Sequence, residues 1–317
     1  MKTALLGTGF GQAHATVYHA HADVDEVVVF GRTPAKLQKM ADQFGFTTTT
    51  DLDALYADPS IDLVDICLPT PLHAEHAVRA MRAGKDVLCE LPLATSIDDA
   101  HRVIEAQRAT GRQVFVDMFA RFSPANEYLT QAVTDGRYGP LRTLEIETRT
   151  ALLWEGYDLL LDSLAMDAMH ADLDIIATVL GRPSDITAIG AQGDPRGSAA
   201  EALLTYPTAV ARCTASSLMP KPYGMGGGMR AVFTGAVLET SFEAGADGRP
   251  RSTLVEYTDT GRRTVDLPGR DTYAAVIDHA LDCLAGRATS RITPESTLDG
   301  LRLTLDVHHR LTNSLRA

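Results

Sequence analysis

The chain opens on an apolar run that breaks into glycines and then into a helix start: Ala4-Leu5-Leu6-Gly7-Thr8-Gly9-Phe10-Gly11-Gln12-Ala13-His14. Strand, tight turn and helix in this order define a βα unit whose turn stays open at the strand's carboxyl end. Gly7 permits the sharp turn and Gly9 lets another group approach the backbone. The helix N-terminus beyond offers free N–H groups and the positive end of its dipole. Such a turn suits a pyrophosphate, and Gly7, Thr8, Gly9, Phe10, Gly11 and Gln12 are its candidate contacts. The pattern departs from G-x-G-x-x-G, because the third glycine position holds Gln12 and Gly11 sits one residue early. A tight turn with no ligand is the alternative reading.

Composition narrows the class. The 317 residues suffice for two domains with their own cores. A formal net charge of −12 opposes nucleic acid and anionic membrane as partners. The apolar runs fall short of a membrane span, and Met1 to Leu6 leads straight into the glycine turn, so it reads as a strand and not as a secretion signal. Cys67, Cys89, Cys213 and Cys283 have no C-x-x-C spacing and read as reduced thiols, which points to the cytoplasm. A second His or Cys at ligand spacing is missing around the Asp-rich segment 162–174, so no metal is expected.

Strands and helices alternate through the first third. Val27 to Phe30, Leu63 to Leu68, Asp86 to Glu90 and Val114 to Val116 read as strands. Helices are predicted from Pro34, from His73 to Ala83, and from an N-cap at Ser96. This pattern predicts a doubly wound parallel sheet of Rossmann type, with ligands at the strands' carboxyl ends. Thr33, Leu68, Pro69, Thr70, Glu90 and Leu91 then line one crevice with the glycine turn. From residue 122 the pattern changes to a helix over 124–134, a helix over 165–180 and several β-like stretches between 141 and 267. This predicts an α+β domain with a large, open-faced, mostly antiparallel sheet. The expected division is residues 1–121 and 122–317, with the two C-terminal helices able to pack back on the first domain. Pro220 to Gly228 reads as a flexible glycine loop.

Four segments resemble one family. Leu68-Pro69-Thr70-Pro71-Leu72-His73-Ala74-Glu75 is similar to its T-P-N-x-x-H-A-E segment. Ala83-Gly84-Lys85-Asp86-Val87-Leu88-Cys89-Glu90-Leu91-Pro92-Leu93-Ala94 is similar to its A-G-K-H-V-L-C-E-K-P-L-A segment. Arg121-Phe122-Ser123-Pro124 and Gly136-Arg137-Tyr138-Gly139-Pro140-Leu141 match two more. The chain thus resembles the Gfo/Idh/MocA oxidoreductases over nearly its whole length. The resemblance implies a Rossmann domain holding NAD or NADP, with His73 on the cofactor side. It also implies an open-faced sheet that makes homodimer or homotetramer contacts.

The family's catalytic groups are displaced. Its E-K-P lysine falls on Leu91. Counting back from Leu180-Gly181 puts Asp174 and Asp167 on the two aspartates of its D-x-G-x-H helix and Ala171 on the histidine, with His170 one residue early. One helical residue is a turn of about 100°, so His170 misses that position unless the helix is shifted or bulged.

Asp167 and His170, three apart on one helix face, form a candidate proton relay. The competing reading turns His170 away from the chemistry. Tyr157 is a further candidate acid. Trp154, Arg121 and Phe119 are candidate substrate contacts, with core packing as the alternative for Trp154. Lys221 and Tyr223 flank the glycine loop as substitute acids. Gly31 supplies no carboxylate for a ribose 2′-OH, whereas Arg32 suits a 2′-phosphate, which favours NADP(H) over NAD(H).

The function expected is hydride transfer between a nicotinamide cofactor and a small-molecule carbonyl, alcohol or imine. An imine that arrives protonated needs no acid at the reacting centre and suits Leu91. The alternative is a non-redox protein on the same scaffold, either a cofactor-sensing regulator or a recruited lyase, cyclase or epimerase.

Overall fold

The computed structural model describes residues 1–152, 158–193, 195–244 and 250–314. Two compact units divide the chain: Met1–Phe119 with Asp271–Leu298, and Ala120–Arg270 with Asp299–Ala317.

The first unit is built on six strands. They are β1 (Lys2–Leu6), β2 (Glu26–Phe30), β3 (Thr47–Thr49), β4 (Leu63–Ile66), β5 (Asp86–Cys89) and β6 (Val114–Val116). All pair in parallel, in the order β3-β2-β1-β4-β5-β6. Between them run α1 (Gly11–Ala20), α2 (Pro34–Phe44), α3 (Leu52–Ala57), α4 (His73–Arg82) and α5 (Ile97–Thr110). Strands β1 and β4 are buried along almost their whole length, as a sheet covered on both faces requires. The chain reverses its winding direction between β1 and β4, so the crevice outside their carboxyl ends is this unit's expected ligand position.

The alternation read from the sequence recurs here, with one addition. Strand β3 and helix α3 carry little apolar signal of their own. The three threonines of β3 are recruited by pairing with Val28, Val29 and Phe30 of β2. Helix α3 is fixed by Asp51, whose carboxylate accepts hydrogen bonds from the Asp53 and Ala54 amides at 3.0 Å.

The second unit holds α6 (Pro124–Asp135), α7 (His170–Leu180) and eight strands. These are β7 (Leu141–Ala151), β8 (Asp185–Gln192), β9 (Ser198–Thr205), β10 (Val210–Met219), β11 (Met225–Phe233), β12 (Val237–Ala244), β13 (Pro250–Thr258) and β14 (Gly261–Val265). Their order is β14-β13-β12-β11-β7-β10-β9-β8, antiparallel throughout except for β10 beside β7. Helices α8 (Thr272–Leu284) and α9 (Pro294–Ser314) end the chain, and α8 lies within the first unit. No helix among the described residues is long and apolar enough to cross a membrane.

The sheet corrects one sequence reading. Gly226, Gly227 and Gly228 are not a loop; they pair with Arg149, Thr148 and Glu147 of β7 and with Glu243, Phe242 and Ser241 of β12. Glycine is needed because neighbouring backbone comes too close for a side chain. A Cβ on Gly227 would lie 2.0 Å from the Glu147 carbonyl oxygen, and one on Gly228 would lie 2.5 Å from that of Thr240. Only Pro220 to Gly224 remain outside the strands, with Lys221–Tyr223 a short 3-10 turn. Gly227→Ala is expected to lose about 3 kcal/mol of unfolding free energy. Gly269→Ala, where an added Cβ meets nothing within 4 Å, should stay within about 0.5 kcal/mol of the parent. Urea titration of both variants checks the pair.

Candidate active site

The glycine turn does the work of a longer fingerprint in one residue fewer. Gly7 has φ +118°, and a Cβ there would sit 2.3 Å from the Cys67 carbonyl oxygen at the end of β4. Its N–H donates to the Phe30 carbonyl at 2.9 Å, which draws the turn down over β2 and β4. At Gly9 nothing lies within 4 Å of an added Cβ, so the backbone there is open to approach. At Gly11 a Cβ would meet Cys67 Cβ and Leu5 Cδ1 at 3.4 Å, so Gly11 performs the close helix-to-sheet packing usually given to the third glycine. Gln12, the position the longer pattern points to, is exposed and donates to Gln43 Oε1 at 3.2 Å.

The other strand ends complete the crevice. A Cβ on Gly31 would approach Thr8 Cγ2 and Leu37 Cδ2 at 3.0 Å, so a carboxylate side chain there would have to displace one of them. Arg32 and Thr33 beyond it are exposed. After β4, Leu68 and Thr70 are half-buried and Pro69 is exposed. His73 lies behind these residues. It is buried, and its ring nitrogens reach the carbonyl oxygens of Pro92 at 2.8 Å and Leu68 at 2.7 Å. It therefore ties two crevice loops together instead of facing outward as a cofactor contact. Leu91, at the lysine position of the resemblance, is half-buried, and its amide donates to Glu90 Oε2 at 3.1 Å.

Beneath the turn lies a cluster of charge that the sequence reading did not single out. His14 and Tyr18, one turn apart on the buried face of α1, both reach Asp65 in the middle of β4. His14 Nδ1 is 2.7 Å from Asp65 Oδ2, and the Tyr18 hydroxyl donates to the same oxygen at 2.8 Å. On the ring's other side, Nε2 lies 3.0 Å from Asp117 Oδ2 and 3.4 Å from Glu90 Oε1. Neither approach has hydrogen-bond alignment, so His14 Nε2 and both Asp117 oxygens are buried without a partner among the described residues. His14, Asp65 and Asp117 are fully buried, whereas the Glu90 side chain keeps 12% of its surface. Tyr273 of α8 stands over the ring at 6.0 Å between centroids and stacks on Phe119 at 5.0 Å. A signal existed in the sequence: Gly11, His14, Ala15 and Tyr18 fall on one helical face, and Asp65 interrupts an otherwise apolar strand.

Burial works against a charged His14 ring, but Asp65 and Asp117 outweigh it and hold its pKa well above the ordinary value. Burial and the Glu90 charge push Asp117 up to about 7, against the opposing pull of His14. Burial also holds the Cys67 thiol protonated. Donor atoms of His14, Cys67 and Glu90 lie within 4.8 Å of one another, close enough to raise a metal centre. The arrangement argues otherwise. Cys67 Sγ lies beside Nδ1 at 3.5 Å and Glu90 beside Nε2, so the two flank opposite ring nitrogens, and Nδ1 already faces Asp65.

The second unit overturns the predicted relay. Ala165–Met169 forms a π-helical turn, so the helix is bulged, but upstream of His170. The turn leaves Asp167 exposed, whereas His170 begins the regular helix α7 and is buried, with Nδ1 2.8 Å from Thr304 Oγ1. The Thr304 hydroxyl donates to the Gly300 carbonyl at 2.8 Å, so the ring must donate to it. Burial and the Arg121 charge push His170 down to about 3, so it is neutral. Asp167 is exposed and has Ser163, Asp162 and His308 for electrostatic neighbours. Arg121, expected at the substrate, grips the buried Asp174 with two bonds of 2.7 Å. Trp154 and Tyr157 lie outside the described residues.

Residues 1–118 match the family model described as the oxidoreductase family with an NAD-binding Rossmann fold, Gfo/Idh/MocA. The first unit is therefore similar to the Rossmann domain of that family. It is 32% identical over 150 residues to 4-carboxy-2-hydroxymuconate-6-semialdehyde dehydrogenase of Sphingobium sp., covering 47% of each chain. It is 32% identical over 150 residues to inositol 2-dehydrogenase of Rhizobium meliloti, covering 47% of this chain and 45% of that one. The matches thus span about half the length of these curated relatives. The structure of UDP-N-acetylglucosamine 3-dehydrogenase from Acidithiobacillus ferrooxidans superposes over 98% of this chain and 97% of its own, with TM-score 0.82 and 26% identity.

A carboxyl whose pKa rises from 3.8 to about 7 on folding binds more protons folded than unfolded between those values. Its contribution to stability is therefore full below about pH 4 and is lost as pH rises through 7. Asp117→Asn should remove up to ~1.4 kcal/mol per pH unit from the fall in unfolding free energy across that window. Denaturant titrations of parent and variant from acid to neutral pH check this, and parallel curves would refute it.

Proposed function

We propose that the chain is an NAD(P)-dependent oxidoreductase that moves hydride between the nicotinamide and a small-molecule carbonyl, alcohol or imine. The observation that carries this reading is the glycine turn at the point where the winding reverses. It has one glycine for the bend, one open to phosphate and one for packing. When bound, the nicotinamide supplies hydride chemistry. The chain's part is to hold it with Gly7 to Gly11, Leu68 to Thr70 and the Glu90-Leu91 loop, and to supply or accept the proton at the substrate's heteroatom. The named relatives act on semialdehyde, inositol and sugar-nucleotide substrates, which supports a small polar molecule as substrate for this chain too. Nothing about the crevice favours the non-redox alternative.

The cofactor we favour is NADP(H). The wall formed by Thr8 and Leu37 around Gly31 disfavours the carboxylate that would pair with a free ribose 2′-OH. Arg32 stands exposed beside it and makes no ion pair among the described residues. A homodimer or homotetramer joined through the open sheet face is part of the same reading. Ile189, Leu203 and Val210 are exposed there beside the charged row Glu239, Arg230, Glu145 and Arg212. Cytoplasmic residence fits the four cysteines, all buried free thiols.

Titration with NADPH and NADH, followed by energy transfer from protein aromatics to the reduced nicotinamide, tests the cofactor assignment. NADPH should bind about tenfold more tightly or better, and Arg32→Ala should erase that margin while leaving NADH affinity unchanged. Binding of neither nucleotide would overturn the reading.

A further inference from the structure

Resting on that oxidoreductase reading, we propose that Glu90 is the proton-transfer residue at the substrate, with the buried His14–Asp117 pair as the proton store behind it. Position is the first argument. The resemblance puts the reacting lysine at Leu91, whose side chain moves no proton, and Glu90 is its neighbour on the same strand-end loop. Of the four charged groups in the cluster, Glu90 alone retains side-chain surface, so it is the outlet of an otherwise sealed set.

Wiring is the second argument. Asp65 holds Nδ1 of His14 at 2.7 Å and is itself fixed by the Tyr18 hydroxyl, which sets the ring's orientation. That orientation aims Nε2 between Glu90 and Asp117, 3.4 and 3.0 Å away. The third argument is the unmet hydrogen bonding. Nε2 and both Asp117 oxygens are buried without an aligned hydrogen bond among the described residues, yet Nε2 and Asp117 Oδ2 are 3.0 Å apart, so rotation of the Asp117 carboxyl brings them into line for transfer. The remaining titratable neighbours do not compete. Tyr18 and Cys67 are held in their protonated forms by burial.

The proton balance closes on these residues. In the oxidation of an alcohol the O–H bond would break, its proton passing to the Glu90 carboxylate and its electron pair forming the carbonyl, while the hydride leaving the carbon would be taken up by an oxidised nicotinamide bound in the crevice. The transfer has two steps: the His14 ring first gives its Nε2 proton to the ionised Asp117 carboxylate, and the lone pair left on Nε2 then takes the proton from Glu90. Reduction runs the same transfers in reverse, and Asp117 returns the proton.

Infrared spectroscopy of the full chain, without substrate, tests the relay. The carboxylic-acid carbonyl band of a protonated buried side chain should be present near neutral pH and absent in Asp117→Asn. After transfer to D2O, its deuterium shift should slow about tenfold or more in Glu90→Gln, which keeps the shape but not the proton path. A parent protein without the band, or an exchange rate indifferent to Glu90→Gln, overturns the proposal. Failure of the cofactor reading registers separately, in the nucleotide titration, which uses neither variant.

Discussion

A carboxylate in the middle of a buried parallel strand is the constraint from which the site follows. Asp65 lies between Leu5 of β1 and Leu88 of β5 with no surface of its own. Leaving such a charge unpaired would cost several kcal/mol, so β4 can exist only with partners supplied from one face. Helix α1 supplies them through His14 and Tyr18. That pairing fixes the helix's rotation and its height above the sheet. The same face then brings Gly11 against Leu5 and Cys67, and the turn before it has no choice but Gly7 at a positive φ. The crevice and the buried charge are thus one construction.

The second consequence concerns protons. A histidine clamped at Nδ1 must direct Nε2 somewhere, and here it points at two more carboxylates from the ends of β5 and β6. Burial first, and the Glu90 charge beside it, push Asp117 up to about 7. In the other unit the opposite choice was made. His170 and Thr304 form a neutral, closed pair, and Asp174 is neutralised by Arg121. The residues that look catalytic by spacing in α7 are used for structure, while the residues that hold mobile protons lie under the glycine turn.

Much of this was readable from the sequence, and for definable reasons. The parallel sheet declared itself through apolar runs separated by glycine and proline breaks, and the second sheet through alternation. Strand β3 escaped because three threonines pair with β2 without any apolar signal. Gly226 to Gly228 read as a loop because composition cannot reveal that Glu147 and Thr240 backbone crowd the strand from both sides. The relay of Asp167 and His170 failed on a single π-turn, which periodicity at 3.6 residues cannot register. His14, Asp65 and Asp117 were hidden by separation: they are 51 and 52 residues apart in the chain, and only the parallel topology unites them.

The most direct test of this account is the protonation state of His14. Among the ten histidines of the chain, nitrogen-15 NMR of ring-labelled protein should find one imidazole that stays doubly protonated as pH rises past 7 and that vanishes in His14→Gln. A His14 ring already neutral below that pH would mean that the carboxylates around it do not hold a second proton on the ring for transfer, and the account of the site would be wrong.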